Sequence, residues 1–232
     1  MTYAEDSRRV AEFIVPLYGE DPFADVRLSS DRHREEHAQR LPGGAQECGV
    51  FPSGQVKMRL IATLVRLTRP ARVLEIGCGL GYSALWLARA AGREAMVETI
   101  DRFPEHAEIA AGYAKQYGLG ERVRFVTGEG AAVLAGLGGP YDFVHDDGWF
   151  AQRPPYVDRM VSLVRPGGVL VLSNWFLLVE SLVAEPSLDW AQFGGPRWTA
   201  DVQAYAREIA ARGDLDVSFV PDPGMVLAVK RQ

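Results

Sequence analysis

The sequence predicts an α/β fold: a mostly parallel sheet with helices on both faces and an antiparallel strand at the end. Three observations carry this. Between residues 71 and 173, five short apolar runs alternate with helical ones, the rhythm of βα units in a parallel sheet. The first of these runs leads into a glycine-rich turn, EIGCGLGYS at 75–83. The last two strand-like runs, DLDVSFV and GMVLAVK, are joined through Pro221-Asp222-Pro223-Gly224, a hairpin that adds an antiparallel strand.

In chain order, Ala4 to Tyr18 has apolar residues at helical spacing, with Pro16 placed to kink or end the helix. From Gly19 to Ser53 the pattern is poor, and we read a partly helical or mobile lid segment. Gln55 to Leu67 is again amphipathic. Strands follow at 71–76, 95–100, 122–127, 141–146 and 168–173. Helices lie between them at 82–92, 104–118, in the short run GAAVLAGLG, and at 155–164. Glycine closes the first of these helices, and proline opens the second. A last helix spans Thr199 to Arg212, before the hairpin.

The chain has 232 residues, 47% of them hydrophobic, enough for one domain with a sizeable core. We divide it into an N-terminal helical or lid segment, 1–53, and a core, 54–232. The net charge of −5 and the absence of a basic stripe argue against nucleic acid. Cys48 and Cys78 are too few for a disulfide framework or a cysteine-based zinc site, and suit a reducing cytosol. The opening MTYAEDSRRV does not read as a signal peptide. The most apolar stretch, 169–179, is too short to span a bilayer. The expectation is therefore a cytoplasmic protein without a membrane partner.

Ligands of open α/β sheets sit beyond the carboxyl ends of the strands, at the switch point. There the chain places Glu75, Gly77, Gly79 and Gly81. A dinucleotide fingerprint needs glycine where Tyr82 stands, which disfavours an NAD-dependent dehydrogenase. A carboxylate before the loop repels a pyrophosphate and suits an ammonium or a sulfonium. Asp101, at the end of the second strand, is placed for ribose hydroxyls or for capping the next helix. The third strand ends in Thr127-Gly128-Glu129-Gly130, where a loop is placed to close over an adenine.

VLEIGCGLGYSALWLA, followed by ETIDR, VTGEG, YDFVHDD and LVRPGGVLVLSN, resembles the class I S-adenosylmethionine-dependent methyltransferases. Within that class the set is similar to the small O-methyltransferases related to catechol and caffeoyl-CoA O-methyltransferase. The resemblance covers roughly residues 50 to 230. It implies a Rossmann-like three-layer sandwich, a seven-stranded sheet with the last strand antiparallel, and S-adenosyl-L-methionine as cofactor. It also implies that Glu75, Gly77, Gly79, Tyr82 and Ser83 hold the methionine part, with residues around Cys48 to Val50 covering it. Asp101 would bind the ribose, and Gly128, Glu129 and Gly130 would border the adenine. The acceptor would be a small hydroxylated molecule. Relatives of this kind are often dimers, so a homodimer is compatible with the resemblance.

The resemblance further implies a divalent cation, usually magnesium, that lowers the pKa of the acceptor hydroxyl. Its ligand positions fall on Asp147, which also borders the cofactor, and on Ser173 and Asn174. Serine replaces the family's aspartate at 173, and Phe150 stands where a lysine commonly serves as base. One carboxylate, one amide and one hydroxyl make a weak magnesium site. Three readings stay open: a metal held by Asp147 and Asn174 with substrate oxygens and water; metal-free transfer with Asp147, Asp146 or His145 taking the proton; and cofactor binding without turnover. His145 also reads as a satisfied core histidine. Trp149, Phe150, Trp175 and Phe176 follow the same strand ends, as core packing or as walls for a flat acceptor. His33 and His37 sit four residues apart, but Arg34 stands where a zinc protease needs glutamate, and we read a solvated helix face. There is no G-x-S-x-G nucleophile elbow.

Overall fold

A computed structural model describes residues 3–183, 186 and 197–232. Helix α1 (Tyr3–Ile14) ends where Pro16 removes a backbone donor, and the chain tightens into a 3-10 turn at Val15–Tyr18. Next come α2 (Ala24–Ala38), α3 (Gly44–Cys48) and α4 (Gln55–Thr68). The alternating part comprises β1 (Arg72–Ile76), α5 (Tyr82–Ala91), β2 (Met96–Asp101), α6 (Pro104–Gln116), β3 (Val123–Thr127), α7 (Gly130–Gly136), β4 (Tyr141–Asp146), α8 (Val157–Leu163) and β5 (Val164–Leu172). It is followed by α9 (Phe176–Glu180), α10 (Arg197–Ala210), β6 (Leu215–Val220) and β7 (Met225–Lys230).

The seven strands form one sheet in the order β3-β2-β1-β4-β5-β7-β6. Pairings from β3 through β5 are parallel, and β7 runs antiparallel to both β5 and β6. This is the Rossmann-like sheet that the sequence leads one to expect. The strand boundary that differs most is the start of β5, at Val164 rather than at Gly168. Gly167 takes a φ of 71° there, and the register against β4 slips between Tyr141 and Phe143. The Arg-Pro-Gly-Gly run is thus an irregularity inside a strand, not a loop before it.

Strand alternation sorts the core into two layers. Leu74, Val144, Leu170 and Leu172 face α8 and α10, where Met160, Val161, Val202 and Ile209 are buried. Val73, Val97, Phe143 and Val171 face the other way, against Met58, Ile61 and Val65 of α4 and Leu85 of α5.

Residues 19–53 are more ordered than their pattern suggests. Phe23 packs its edge against Trp86 and Tyr117, with ring centroids at 5.9 and 4.9 Å. The Tyr82 hydroxyl donates to Asp21 Oδ2 at 2.8 Å. The buried face of α2 is Val26, Ser30 and His37, a single aliphatic residue among polar ones, so its periodicity is invisible in a hydrophobic pattern. Among the described residues, no helix is long and apolar enough to cross a membrane.

Phe143 is fully buried at the centre of one layer. Phe143→Ala is expected to lower the unfolding free energy by about 3–5 kcal/mol in a urea titration.

Candidate active site

The site is built on the carboxyl edge of the sheet. After β1 the chain turns through Gly77, Gly79 and Gly81, all at positive φ (93°, 50° and 90°). A Cβ on Gly77 would lie 3.0 Å from the carbonyl carbon and oxygen of Asp147, and one on Gly81 would lie 3.0 Å from Ala110 Cβ. Both positions therefore require glycine: one for backbone contact with the end of β4, the other for the packing of α5 on α6. Asp101 Oδ2 accepts the Gly79 amide at 2.8 Å. Its Oδ1 accepts the Phe103 amide at 3.0 Å and lies 3.0 Å from His106 Nδ1. Asp101 thus fixes the glycine loop and starts α6 while its side chain remains 11% exposed.

A cavity of about 750 Å³ opens over this edge, walled by Ile76, Gly77, Asp101, Gly128, Glu129 and Gly130 on one side. Its other side is Ser53, Lys57, Asp147, Trp149, Asn174 and Phe176. A smaller recess of about 60 Å³ adjoins it, lined by Gly49, Val50, Gly79, Tyr82 and Ser83. Together these walls hold every cofactor residue expected from the sequence except Glu75. That carboxylate points into the sheet face instead. Thr99 Oγ1 donates to its Oε2 at 2.6 Å, and His145 Nδ1 lies 3.2 Å from its Oε1. A fully buried carboxylate needs such partners, and Glu75 is not among the residues that line the cavity or the recess.

The two adjacent aspartates have opposite fates because successive residues of a strand face opposite sides. Asp146 is fully buried. It pairs with Arg153 Nε, accepts from Tyr156 Oη at 3.0 Å, and accepts the Gly148 amide at 3.0 Å. Arg153 Nη2 also donates to the Asp146 carbonyl at 3.2 Å. Asp147 lines the cavity and accepts from Ser53 Oγ at 2.7 Å. Lys57 Nζ lies 3.3 and 3.5 Å from its two carboxylate oxygens. Burial opposes ionisation of Asp147, but the Lys57 ammonium, His145 and the Ser53 hydrogen bond outweigh it and hold its carboxyl below the ordinary range. His145 is fully buried between Glu75 and Ser173, with Nε2 3.0 Å from Ser173 Oγ. It is a satisfied core histidine and is not among the residues that line the cavity.

The donor set does not fit magnesium. Ser173 is fully buried and turned to His145. Asn174, at φ 66°, donates its amide to the carbonyls of Asp147 and Gly148 at 3.4 and 3.2 Å. An ammonium already lies against the single carboxylate. A hard cation there would meet one neutralised carboxylate and a competing positive charge. The four aromatics also divide. Phe150 and Trp175 are core, in edge contact at 5.3 Å and both packed on Tyr205. Trp149 and Phe176 line the cavity.

Lys57, Ser53 and Arg153 belong to no motif in the sequence. Lys57 carries one faint signal: a cation in the first turn of α4 opposes the helix dipole, an unfavourable place unless an anion lies nearby.

A family model described as O-methyltransferase matches residues 50–231, and the chain belongs to that family. It is 36% identical over 155 residues to a catechol O-methyltransferase from Mycobacterium tuberculosis, covering 66% of this chain and 70% of that protein. It is 39% identical over 115 residues to a putative O-methyltransferase from Mycobacterium sp. strain JLS, spanning 49% of this chain and about half (52%) of that relative. Among solved structures it is similar to cofactor-bound Rv0187 from MTB, with 28% identity, a TM-score of 0.73, and coverage of 96% of this chain and 95% of that one.

The two aspartates are separable by experiment. Asp146→Ala strands a buried guanidinium and is expected to lower stability by about 3–5 kcal/mol in chemical denaturation. For Asp147 the pH dependence is diagnostic. Its carboxyl is lowered on folding, so its contribution is present above the unfolded value of about 3.9 and lost as pH falls through the folded value. The difference in melting temperature between the native chain and Asp147→Asn should persist from pH 7 to about 4 and then shrink.

Proposed function

We propose that this protein transfers the methyl group of S-adenosyl-L-methionine to an acidic hydroxyl of a small flat acceptor, and that Lys57 and Asp147 prepare that hydroxyl without a divalent cation. The observation that carries this is the ion pair itself, in the wall of the cavity that also holds the glycine loop. The family membership and the likeness to a cofactor-bound structure support the cofactor. So does the fit: the cavity lies within the range of about 300–1,000 Å³ usual for such ligands.

Gly77, Gly79, Tyr82 and Ser83 would border the methionine part, Asp101 the ribose hydroxyls, and Gly128, Glu129 and Gly130 the adenine. Asp101 keeps an acceptor site beyond those used by Gly79, Phe103 and His106, as a carboxylate offers about four. When bound, the cofactor supplies an electrophilic methyl on a sulfonium. The rest is the work of the chain. The Lys57 ammonium attracts the acceptor oxygen and lowers the pKa of its hydroxyl. Asp147 takes the proton on a carboxylate oxygen while Lys57 holds the developing negative charge. Trp149 and Phe176 give apolar walls that orient a ring and exclude water. Asp147 is a weak base, since its own carboxyl is held low. It suits a phenol, with a pKa of about 10, rather than an aliphatic alcohol.

The test is a radiolabelled methyl-transfer assay over phenols, using desalted enzyme and a magnesium titration. The rate should not change with magnesium, and Lys57→Ala should lower kcat by about 10²–10³-fold while cofactor affinity by calorimetry changes little. A rate proportional to bound magnesium would overturn the metal-free mechanism. Cofactor binding without turnover of any phenol would identify a non-catalytic member of the family.

A further inference from the structure

Away from the acceptor, four side chains converge between the N-terminal segment and the core. His33 and His37 lie one turn apart on α2, Cys48 ends α3, and His106 lies in the first turn of α6. One ligand atom from each lies within 4.8 Å of all the others. His37 Nδ1 is 3.3 Å from Cys48 Sγ and 3.3 Å from His106 Nε2, and Cys48 Sγ is 4.0 Å from His106 Nε2. The edges of a tetrahedral zinc site with imidazole and thiolate ligands are about 3.3–3.7 Å, from bonds of about 2.0–2.3 Å. Three ligands therefore already stand close to that spacing. The fourth needs a small inward shift.

Two further observations point to a ligand. His33 Nε2 is buried and has no hydrogen-bond partner among the described residues. Such an orphan nitrogen is rare unless something else occupies it. His106 Nδ1 lies 3.0 Å from Asp101 Oδ1, the carboxylate–imidazole arrangement that fixes a metal ligand's tautomer and leaves Nε2 free to bind. No carboxylate belongs to the cluster, so magnesium and calcium are poor candidates, while one sulfur and three imidazoles suit zinc.

We propose that His33, His37, Cys48 and His106 bind one zinc ion tetrahedrally, as a structural staple that ties α2 and α3 to α6. Binding exchanges the Cys48 thiol proton for the metal, leaving a zinc–thiolate bond and releasing one proton to solvent. Four protein ligands leave no open position, so the ion takes no part in methyl transfer. Its effect reaches the cofactor side through Asp101, which His106 and the glycine loop share.

Elemental analysis of tag-free protein, reconstituted with zinc and desalted, should give one zinc per chain. Cobalt substitution should give intense tetrahedral visible bands and a thiolate-to-cobalt charge-transfer band. Cys48→Ser should abolish the charge-transfer band. His33→Gln, a milder change at a partly buried residue, should weaken zinc by at least the about 10–100-fold typical of losing even an outer-shell partner. Thermal melting should fall on zinc removal and recover on its return. Substoichiometric zinc in the folded native chain, or a weak cobalt spectrum that Cys48→Ser leaves unchanged, would overturn the proposal. Both readouts are independent of methyl transfer.

Discussion

The backbones of Gly77 and Asp147 touch where the sheet reverses its order of growth, and the site depends on that contact. From β1 the strands extend outward through β2 to β3, and the chain then returns to lay β4 on the opposite flank of β1. The loops after β1 and β4 must diverge there, which opens the crevice. The Asp147 amide donates to the Ile76 carbonyl at 2.9 Å, and Gly77 leaves no side chain between the two segments. The glycine loop and the cavity-lining Asp147 are thus anchored to one backbone junction. Their relative position is set by the sheet rather than by a moving loop, the condition that in-line displacement favours.

Much of the frame was legible because it follows from periodicity and punctuation. The alternation of apolar runs with helical ones, the positive-φ glycines and the terminal hairpin each have a local physical cause. The acceptor side was less legible. Lys57 and Asp147 are ninety positions apart, and no local pattern links a lysine in one helix to an aspartate after a distant strand. Glu75 shows the converse. Its place beside the glycine loop suggests a ligand, but its side chain follows the alternation of β1 and lands on the sheet face between Thr99 and His145. In α2 the face of His33 and His37 reads as solvated, yet His37 is buried: the inward face carries serine and histidine, so burial and hydrophobicity do not coincide.

The same principle explains the paired aspartates. At the end of β4 the two consecutive side chains turn to different sides. Asp146 went inward and is held by a guanidinium, a phenol and a backbone amide, which stiffens the turn between β4 and α8. Asp147 went outward and met a lysine from a different helix. One carboxylate serves the architecture and its neighbour serves the cavity.

The polar row Thr99, Glu75, His145 and Ser173 runs across β2, β1 and β4 to the residue after β5, and it bears on how such a site could diverge. An aspartate at 173 would set a second carboxylate on the imidazole that Glu75 already faces, in a fully buried place. Removing Lys57 alone would leave Asp147 against the cavity without its cation. Each of these steps toward a cation-binding site leaves a carboxylate in a less favourable setting. Sequences that differ at these two positions can be close in letters, so kinship alone is a poor guide to the electrostatics at this edge of the sheet.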